Sequence, residues 1–197
     1  MPYLIVMQLW GGIFYLLNKV FFSWAERAPS VEKKRSWRIW SWVVYIIGLP
    51  PWIILLIPRE NWMVVAVEIG GAPAMFLGLV LAIHGVQKNT KWTKRLDNFA
   101  RFSAVAGLGI SLWDIGFFTR FTQVLELGTS VGYLFGTILL AKQRSSGYFW
   151  FMLMNASTAW LTWELGFEWL ALQQVISLGF IIDAWYIERR TMKTQII

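Results

Sequence analysis

The stretch that decides the fold is NWMVVAVEIGGAPAMFLGLVLAIHG, residues 61–85, followed by VQKNTKWTKR, residues 86–95. The first part is mostly apolar. As a helix rising ~1.5 Å per residue, it is long enough to cross ~30 Å of hydrocarbon. The second part carries four cations and no acid. An apolar span that ends in a basic loop is typical of a membrane protein whose loop stays on the cytoplasmic side.

Six further apolar runs of similar length surround this one. They cover residues 3–24, 37–57, 99–118, 121–141, 147–166 and 167–187. The chain is 57% hydrophobic, and the runs occupy nearly all of its 197 residues. This pattern excludes an ordinary soluble domain. It predicts an all-α integral membrane protein with seven transmembrane helices and no domain outside the membrane.

The cations predict the orientation of these helices. Of the 18 Lys and Arg residues, only Arg59 and Arg120 fall on one side of the predicted topology. Lys19 lies near the end of the first run and is expected to snorkel toward the basic side. The remaining cations cluster in the other connections and the C-terminal tail. The positive-inside rule then gives an outer N-terminus and an inner C-terminus, most simply in a bacterial cytoplasmic (inner) membrane. The net charge of +7 is explained by inner loops that face anionic lipid, so no nucleic-acid partner is expected.

The chain also repeats itself. Lys-Arg-Ser at 34–36 precedes an aromatic cluster, as does Arg-Ser-Ser at 144–146, and Tyr15 aligns with Tyr133. A three-helix unit that starts outside ends inside, so a second parallel copy needs one extra helix to return the chain. We therefore expect two parallel triple-helix bundles joined by a linker helix. The expected boundaries are repeat 1 at 1–86, a basic inner loop and linker helix at 87–120, repeat 2 at 121–190 and a cytoplasmic tail at 191–197.

Proline and glycine mark special points within the spans. Pro50-Pro51 and the segment 70–73, Gly-Gly-Ala-Pro, are expected to break the second and third helices. Gly128, Gly132 and Gly136 form a small-residue stripe on the fifth run, which favours close packing against another helix.

Four polar side chains within the spans are candidate substrate-binding residues: Glu68, Glu126, Asn155 and Gln173. Each is costly in lipid, so each should face the interior with a partner. Carboxylates and amides suit a polar ligand that carries hydroxyl groups. The alternative is that they only tie helices together through hydrogen bonds. We expect Glu68, Asn155 and Gln173 to face one polar cavity near the middle of the membrane.

Aromatic side chains are expected to wall this cavity. The candidates are Trp40, Tyr148, Phe151 and Trp160, whose flat faces could stack on an aromatic ring or could be plain core. Catalytic and metal-binding patterns are missing. The chain has no Cys and a single His, and it lacks nucleophile-elbow and phosphate-loop motifs. No enzyme activity, cofactor or metal is therefore expected.

The second half resembles the vitamin transporters of the PnuC type. The acid of that family's fifth helix falls on Glu126, and its Trp-x-x-Trp-x-x-x-Asn pattern becomes Tyr148-x-x-Phe151-x-x-x-Asn155 here. The polar residue at the start of its seventh helix falls on Gln173, and a Gln of its third helix is Glu68 here. The resemblance covers about a third of the chain well and the first repeat loosely.

This resemblance implies a fold like that of the SWEET sugar transporters and facilitated diffusion without ion coupling. The implied substrate is a small vitamin or nucleoside, such as nicotinamide riboside, thiamine, riboflavin or a deoxynucleoside. Expected partners are this small molecule and the lipid bilayer, and assembly as a homo-oligomer is left open. The alternative is a non-transporting scaffold or a subunit of a larger membrane complex, which would pair its buried polar groups and leave no cavity.

Overall fold

A computed structural model describes residues 2–57, 62–85, 90–115 and 120–194. In these residues the chain forms seven α-helices. They are α1 (Pro2–Glu26), α2 (Val31–Leu56), α3 (Trp62–His84), α4 (Lys91–Ile115), α5 (Phe121–Ala141), α6 (Ser146–Glu164) and α7 (Glu168–Thr194). The all-helical prediction is confirmed, and each helix overlaps one of the seven apolar runs.

The helix ends follow local chemistry. Ser30 is the N-cap of α2, and its side chain accepts a hydrogen bond from the backbone N–H of Lys33 at 3.3 Å. Gly85 ends α3 with φ of +84°, and Gly166 joins α6 to α7 with φ of +74°. Glycine adopts this left-handed conformation without a Cβ penalty, which explains the abrupt helix ends at these two positions.

Four of the described helices are long and apolar enough to cross a membrane. The qualifying segments are Ile5–Glu26 in α1, Val65–His84 in α3, Phe121–Ala141 in α5 and Glu168–Thr191 in α7. Many large apolar side chains remain on the outer surface of the bundle, including Val105 and Phe102 on α4. Such a surface is suited to lipid and not to water.

Six helices pack in a closed cycle. Helix α1 packs on α2, α2 on α3, α3 on α5, α5 on α6, α6 on α7, and α7 returns to α1. Helix α4 lies mainly against α3, with a lighter contact to α5. The centre of the cycle is filled by buried aromatic side chains, among them Tyr45, Tyr133 and Phe151.

The glycine stripe on α5 packs against α6, as predicted. A Cβ on Gly132 would lie 2.6 Å from both the Trp150 carbonyl oxygen and the Met154 amide nitrogen. These are backbone atoms that cannot rotate away, so the two helices meet at a distance that only glycine permits.

Two local expectations are wrong. Helix α2 continues through Pro50 and Pro51, and α3 continues through Gly70 to Pro73 and beyond. Packing in the bundle holds these segments helical although each proline removes one backbone donor. Helix α7 extends to Thr194 and so includes the first part of the tail expected at 191–197; residues 195–197 lie outside the described part.

One end of the bundle, called the basic end below, gathers the basic connections. The guanidinium of Arg35 at the start of α2 donates to the carbonyl oxygens of Ala82 and Ile83 at the end of α3. Lys142, which follows α5, forms a salt bridge with Asp97 near the start of α4 at 2.6 Å. These contacts join the end of α3 to the start of α2 and the end of α5 to the start of α4.

Candidate functional site

A small cavity with several polar side chains in its wall lies where the six helices of the cycle meet. Its volume is about 50 Å³. The residues that line it are Tyr15, Trp52, Val67, Glu68, Thr129, Ser130, Tyr133, Met154, Thr158 and Gln174. Every helix of the cycle contributes at least one of them. A movement of any of these helices would therefore change the shape of the cavity.

Glu68 on α3 is the acidic group of the cavity. It is buried, and its carboxylate accepts a hydrogen bond from the Tyr15 hydroxyl at 2.6 Å. The Tyr133 hydroxyl donates to the backbone oxygen of the same residue at 3.4 Å. Tyr133 reaches this point because it packs directly on Gly71, where a Cβ would lie 2.2 Å from its ring. The two tyrosines that align in the sequence therefore meet at one residue.

Lys19 on α1 is the basic group of the same interior, and the expectation that it snorkels is wrong. It is only 1% exposed. Its ammonium donates to the Asn18 side-chain oxygen at 2.8 Å and lies 4.0 Å from the centre of the Phe151 ring and 4.3 Å from that of Tyr45. Two aromatic faces and an amide oxygen replace the water that snorkelling would provide.

Hydroxyl groups and an amide complete the cavity wall. Thr129 on α5 and Thr158 on α6 are in hydrogen-bond contact at 3.1 Å between their hydroxyls. Thr158 and Ser130 also donate to carbonyl oxygens of their own helices at 2.8 Å. Hydroxyls that donate backward in this way keep lone pairs available to accept from a ligand. Gln174 on α7 is buried beside them.

The structure brings only one of the four predicted polar residues into the lining of this cavity, namely Glu68. Asn155 is fully buried, and its amide donates to the Phe151 carbonyl at 2.6 Å, while its side-chain oxygen has no partner in the described part of the chain. The Gln173 amide donates to the Ser177 hydroxyl at 2.9 Å. Glu126 lies one turn before Ser130, on a partly exposed part of α5. Gln174 occupies the place expected for Gln173.

The predicted aromatic wall is also different. Phe151 is buried beneath Lys19, and Tyr148 is buried at the basic end. Trp40 and Trp160 are 53% and 57% exposed, so they do not wall an interior cavity. Trp42 is buried in place of Trp40. Residues two apart on a helix are separated by about 200°, and only one of them can face the interior.

A second polar group, the basic-end cluster, comprises Glu26, Lys34, Arg38 and Tyr148. The Glu26 carboxylate accepts from Lys34 at 2.5 Å, and from Arg38 and Tyr148 at 2.8 Å each. Its side chain is 1% exposed. Three donors on two oxygens nearly saturate this carboxylate, and they join α1, α2 and α6 at the basic end.

A neighbouring contact ties α1 to α7 at the same end. The Ser23 hydroxyl donates to Asp183 at 2.5 Å, and Arg27 forms an ion pair with the same carboxylate. Among the residues that the structure describes, no group of three His, Cys, Asp or Glu side chains could hold a metal ion.

Sequence reasoning missed Lys19, Tyr15 and Tyr133, and of two adjacent amides it chose Gln173 for the site and not Gln174. The alignment of Tyr15 with Tyr133 was the available signal for two of them, because a repeated polar side chain in a membrane span indicates an interior position. Known proteins add no further assignment: no family, no curated protein and no solved structure matches this chain.

Proposed function

We propose that this protein is a membrane transporter for a small polar solute with an aromatic ring, of the vitamin or nucleoside class. Nicotinamide riboside is the first candidate, which the resemblance described above suggests. The observation that carries the proposal is the cavity at the meeting point of six helices, with a buried carboxylate in its wall. A buried ionisable group lowers the stability of a membrane bundle, so its presence favours a functional role such as substrate recognition.

The proposed architecture is two parallel three-helix units joined by α4, with seven membrane crossings, the N-terminus outside and the basic end in the cytoplasm. Its support is the packing order. The contacts of α1 with α2 and of α2 with α3 recur as α5 with α6 and α6 with α7. The two contacts between the units also correspond: exchange of the units turns the contact of α3 with α5 into that of α7 with α1. A two-fold relation along the membrane normal has this contact pattern, and transporters built from parallel repeats bind their substrates between the units.

The size of the cavity implies movement. Its volume of about 50 Å³ is well below the ~300 Å³ of the smaller ligand pockets. A nucleoside would therefore require the two units to separate around the cavity. At the basic end this separation would break the contact of Tyr148 with Glu26 and that of Arg27 with Asp183. We assign to these contacts the role of holding the cytoplasmic side closed.

The charges narrow the substrate class. Glu68 alone would favour a cation, but the ammonium of Lys19 lies in the same interior and compensates it. The cavity wall then offers a carboxylate, hydroxyls and an amide in an environment with no net formal charge. This combination suits a neutral or singly cationic ring that bears hydroxyl groups. It disfavours phosphorylated forms, because a site without net positive charge cannot compensate the buried negative charge of a phosphate.

The test is a thermal-shift screen of purified protein against nicotinamide riboside, thiamine, riboflavin and nucleosides, followed by uptake into proteoliposomes. A ligand at ~100 times its Kd should stabilise the protein by roughly 2.7 kcal/mol. Glu68→Gln should weaken that shift, and exchange of Glu164, an exposed acid on α6, for Gln should not. Full uptake by Glu68→Gln would remove the site assignment.

The second candidate is a non-transporting scaffold or a subunit of a membrane complex. The observation that favours it is the small cavity volume together with the near-saturated Glu26 carboxylate. This candidate predicts no thermal shift and no uptake with any of the solutes above. It also predicts that the purified chain is recovered from membranes in a larger complex.

A further inference from the structure

A groove runs along the outer surface between α4 and α5, away from the central cavity. Its volume is about 400 Å³. Seven of its lining residues are apolar: Ala104, Val105, Leu108, Leu134, Phe135, Ile138 and Leu139. The remaining three are Arg101, Lys142 and Arg144. The groove therefore combines an apolar length with a cationic end.

The cations sit at the basic end of the groove. Lys142 and Arg144 follow the last residue of α5, and Lys142 is bound to Asp97 near the start of α4. Arg101 contacts the same carboxylate at 3.3 Å. Asp97 thus pairs with two of the three cations, which leaves an excess of positive charge at the basic end of the groove.

We propose that this groove is a binding site for one anionic phospholipid of the leaflet at the basic end. An acyl chain lies along the apolar length between the helices, and the headgroup phosphate contacts Arg101, Lys142 and Arg144. Charge complementarity selects the lipid, because basic pockets between membrane helices bind anionic headgroups. Bidentate arginine donors match phosphate oxygens in particular.

The packing of α4 explains why a lipid would matter here. Helix α4 lies firmly on α3 but touches α5 only lightly, so its second side is open along the groove. A bound acyl chain would fill this space and join the linker helix to α5. The site would then stabilise the position of the linker without any contact to the central cavity, and it does not depend on the proposed transport function.

The experiment is native mass spectrometry of the purified protein in detergent, titrated with dioleoyl phosphatidylglycerol or dioleoyl phosphatidylcholine. We expect one molecule of phosphatidylglycerol to bind more tightly than phosphatidylcholine does. Arg144→Gln should weaken its binding by roughly fivefold, the effect of one cation near a lipid surface. Lys94→Gln, a matched control that removes an exposed cation of α4 outside the groove, should leave binding unchanged.

A second variant tests the contribution of the lipid acyl chain to binding independently of the contribution of the headgroup. Val105 is 71% exposed at the groove wall, so Val105→Trp can enter the groove without disturbing the core. It should weaken binding of phosphatidylglycerol while every cation is intact. Equal binding of the two phospholipids, or equal effects of Arg144→Gln and Lys94→Gln, would overturn the proposal. Binding of glycerol phosphate as tight as that of the whole lipid would also overturn it, because the site would then recognise a free anion.

Discussion

Glu26 and Glu68 are both buried carboxylates inside one helical bundle, yet their surroundings differ. Glu26 accepts hydrogen bonds from Lys34, Arg38 and Tyr148. The carboxylate of Glu68 accepts one from Tyr15, and Lys19, the buried cation of the same interior, donates to Asn18. The first acid has little capacity left for a new partner, whereas the second retains capacity beside a cavity.

This difference distinguishes a carboxylate that holds helices together from one that is available to bind a ligand. A saturated buried ion pair fixes helices together, and removal of one member leaves an uncompensated charge. A buried carboxylate with spare acceptor capacity and an adjacent space is suited to a ligand. We therefore propose that Glu26 holds the basic end closed and that Glu68 recognises the solute. The following experiments would break or sharpen that division.

The largest effect is expected from Glu26→Ala. It leaves Arg38 buried and unpaired, and breaking such a pair destabilises by about 3–5 kcal/mol. The measurement is thermal or denaturant unfolding in detergent, with Glu32→Ala as the control because Glu32 is exposed on the first turn of α2. Equal stability of the two variants would show that the basic-end cluster does not hold the bundle.

Binding should distinguish two neighbouring amides on α7. Gln174 lines the cavity and Gln173 does not. Gln174→Ala should therefore weaken solute binding by ~1–3 kcal/mol, about 5- to 150-fold in Kd. Gln173→Ala should change Kd little. The measurement is ligand titration by thermal shift, and the reverse order would move the site to another face of α7.

The coupling between Lys19 and Glu68 should be smaller but measurable. Lys19→Met and Glu68→Gln each remove one of two opposite charges in the same interior. Unfolding of both single variants and the double variant forms a double-mutant cycle, with an expected coupling of ~0.5–3 kcal/mol. Strictly additive effects would mean that the two charges do not sense each other, and the argument for a neutral site would fail.

The smallest effect is expected at an aromatic residue that belongs to neither cluster. Trp160 is 57% exposed, and its indole N–H donates to Glu164 at 3.0 Å on the same helix. Trp160→Phe should change stability and ligand binding by no more than ~0.5 kcal/mol, as is usual for surface positions. A large loss of binding with unchanged stability would restore the sequence-based expectation that Trp160 walls the site.

Sequence alone predicted the helices, because apolar length is a property of each segment. It also predicted that Glu68 is buried and that the α5 stripe packs closely, since lipid penalises a bare charge and rewards small residues. It did not predict the rotation of each helix. Adjacent amides such as Gln173 and Gln174 are separated by about 100°, so the choice between them depends on the packing of α7.

The burial of Lys19 could not be predicted from the sequence for a similar reason. A lysine near a span end can reach water in an isolated helix. It stays inside here because Tyr45 and Phe151, which come from other helices, cover it. The continuity of α2 through Pro50 likewise depends on neighbours that only the assembled bundle supplies.

Cysteine labelling tests the central claim most directly, because the chain has no Cys of its own and any single introduced thiol is unambiguous. Thr158→Cys places the thiol in the cavity wall, and Ala156→Cys places it on the exposed side of the same helix. The account predicts that a small charged methanethiosulfonate reagent modifies Thr158→Cys in membranes, and that the transported solute slows the reaction. It predicts no reaction of Ala156→Cys, because the proposed topology places this exposed position in lipid. A folded Thr158→Cys protein that never reacts, or that reacts at the same rate with every solute tested, would contradict the account.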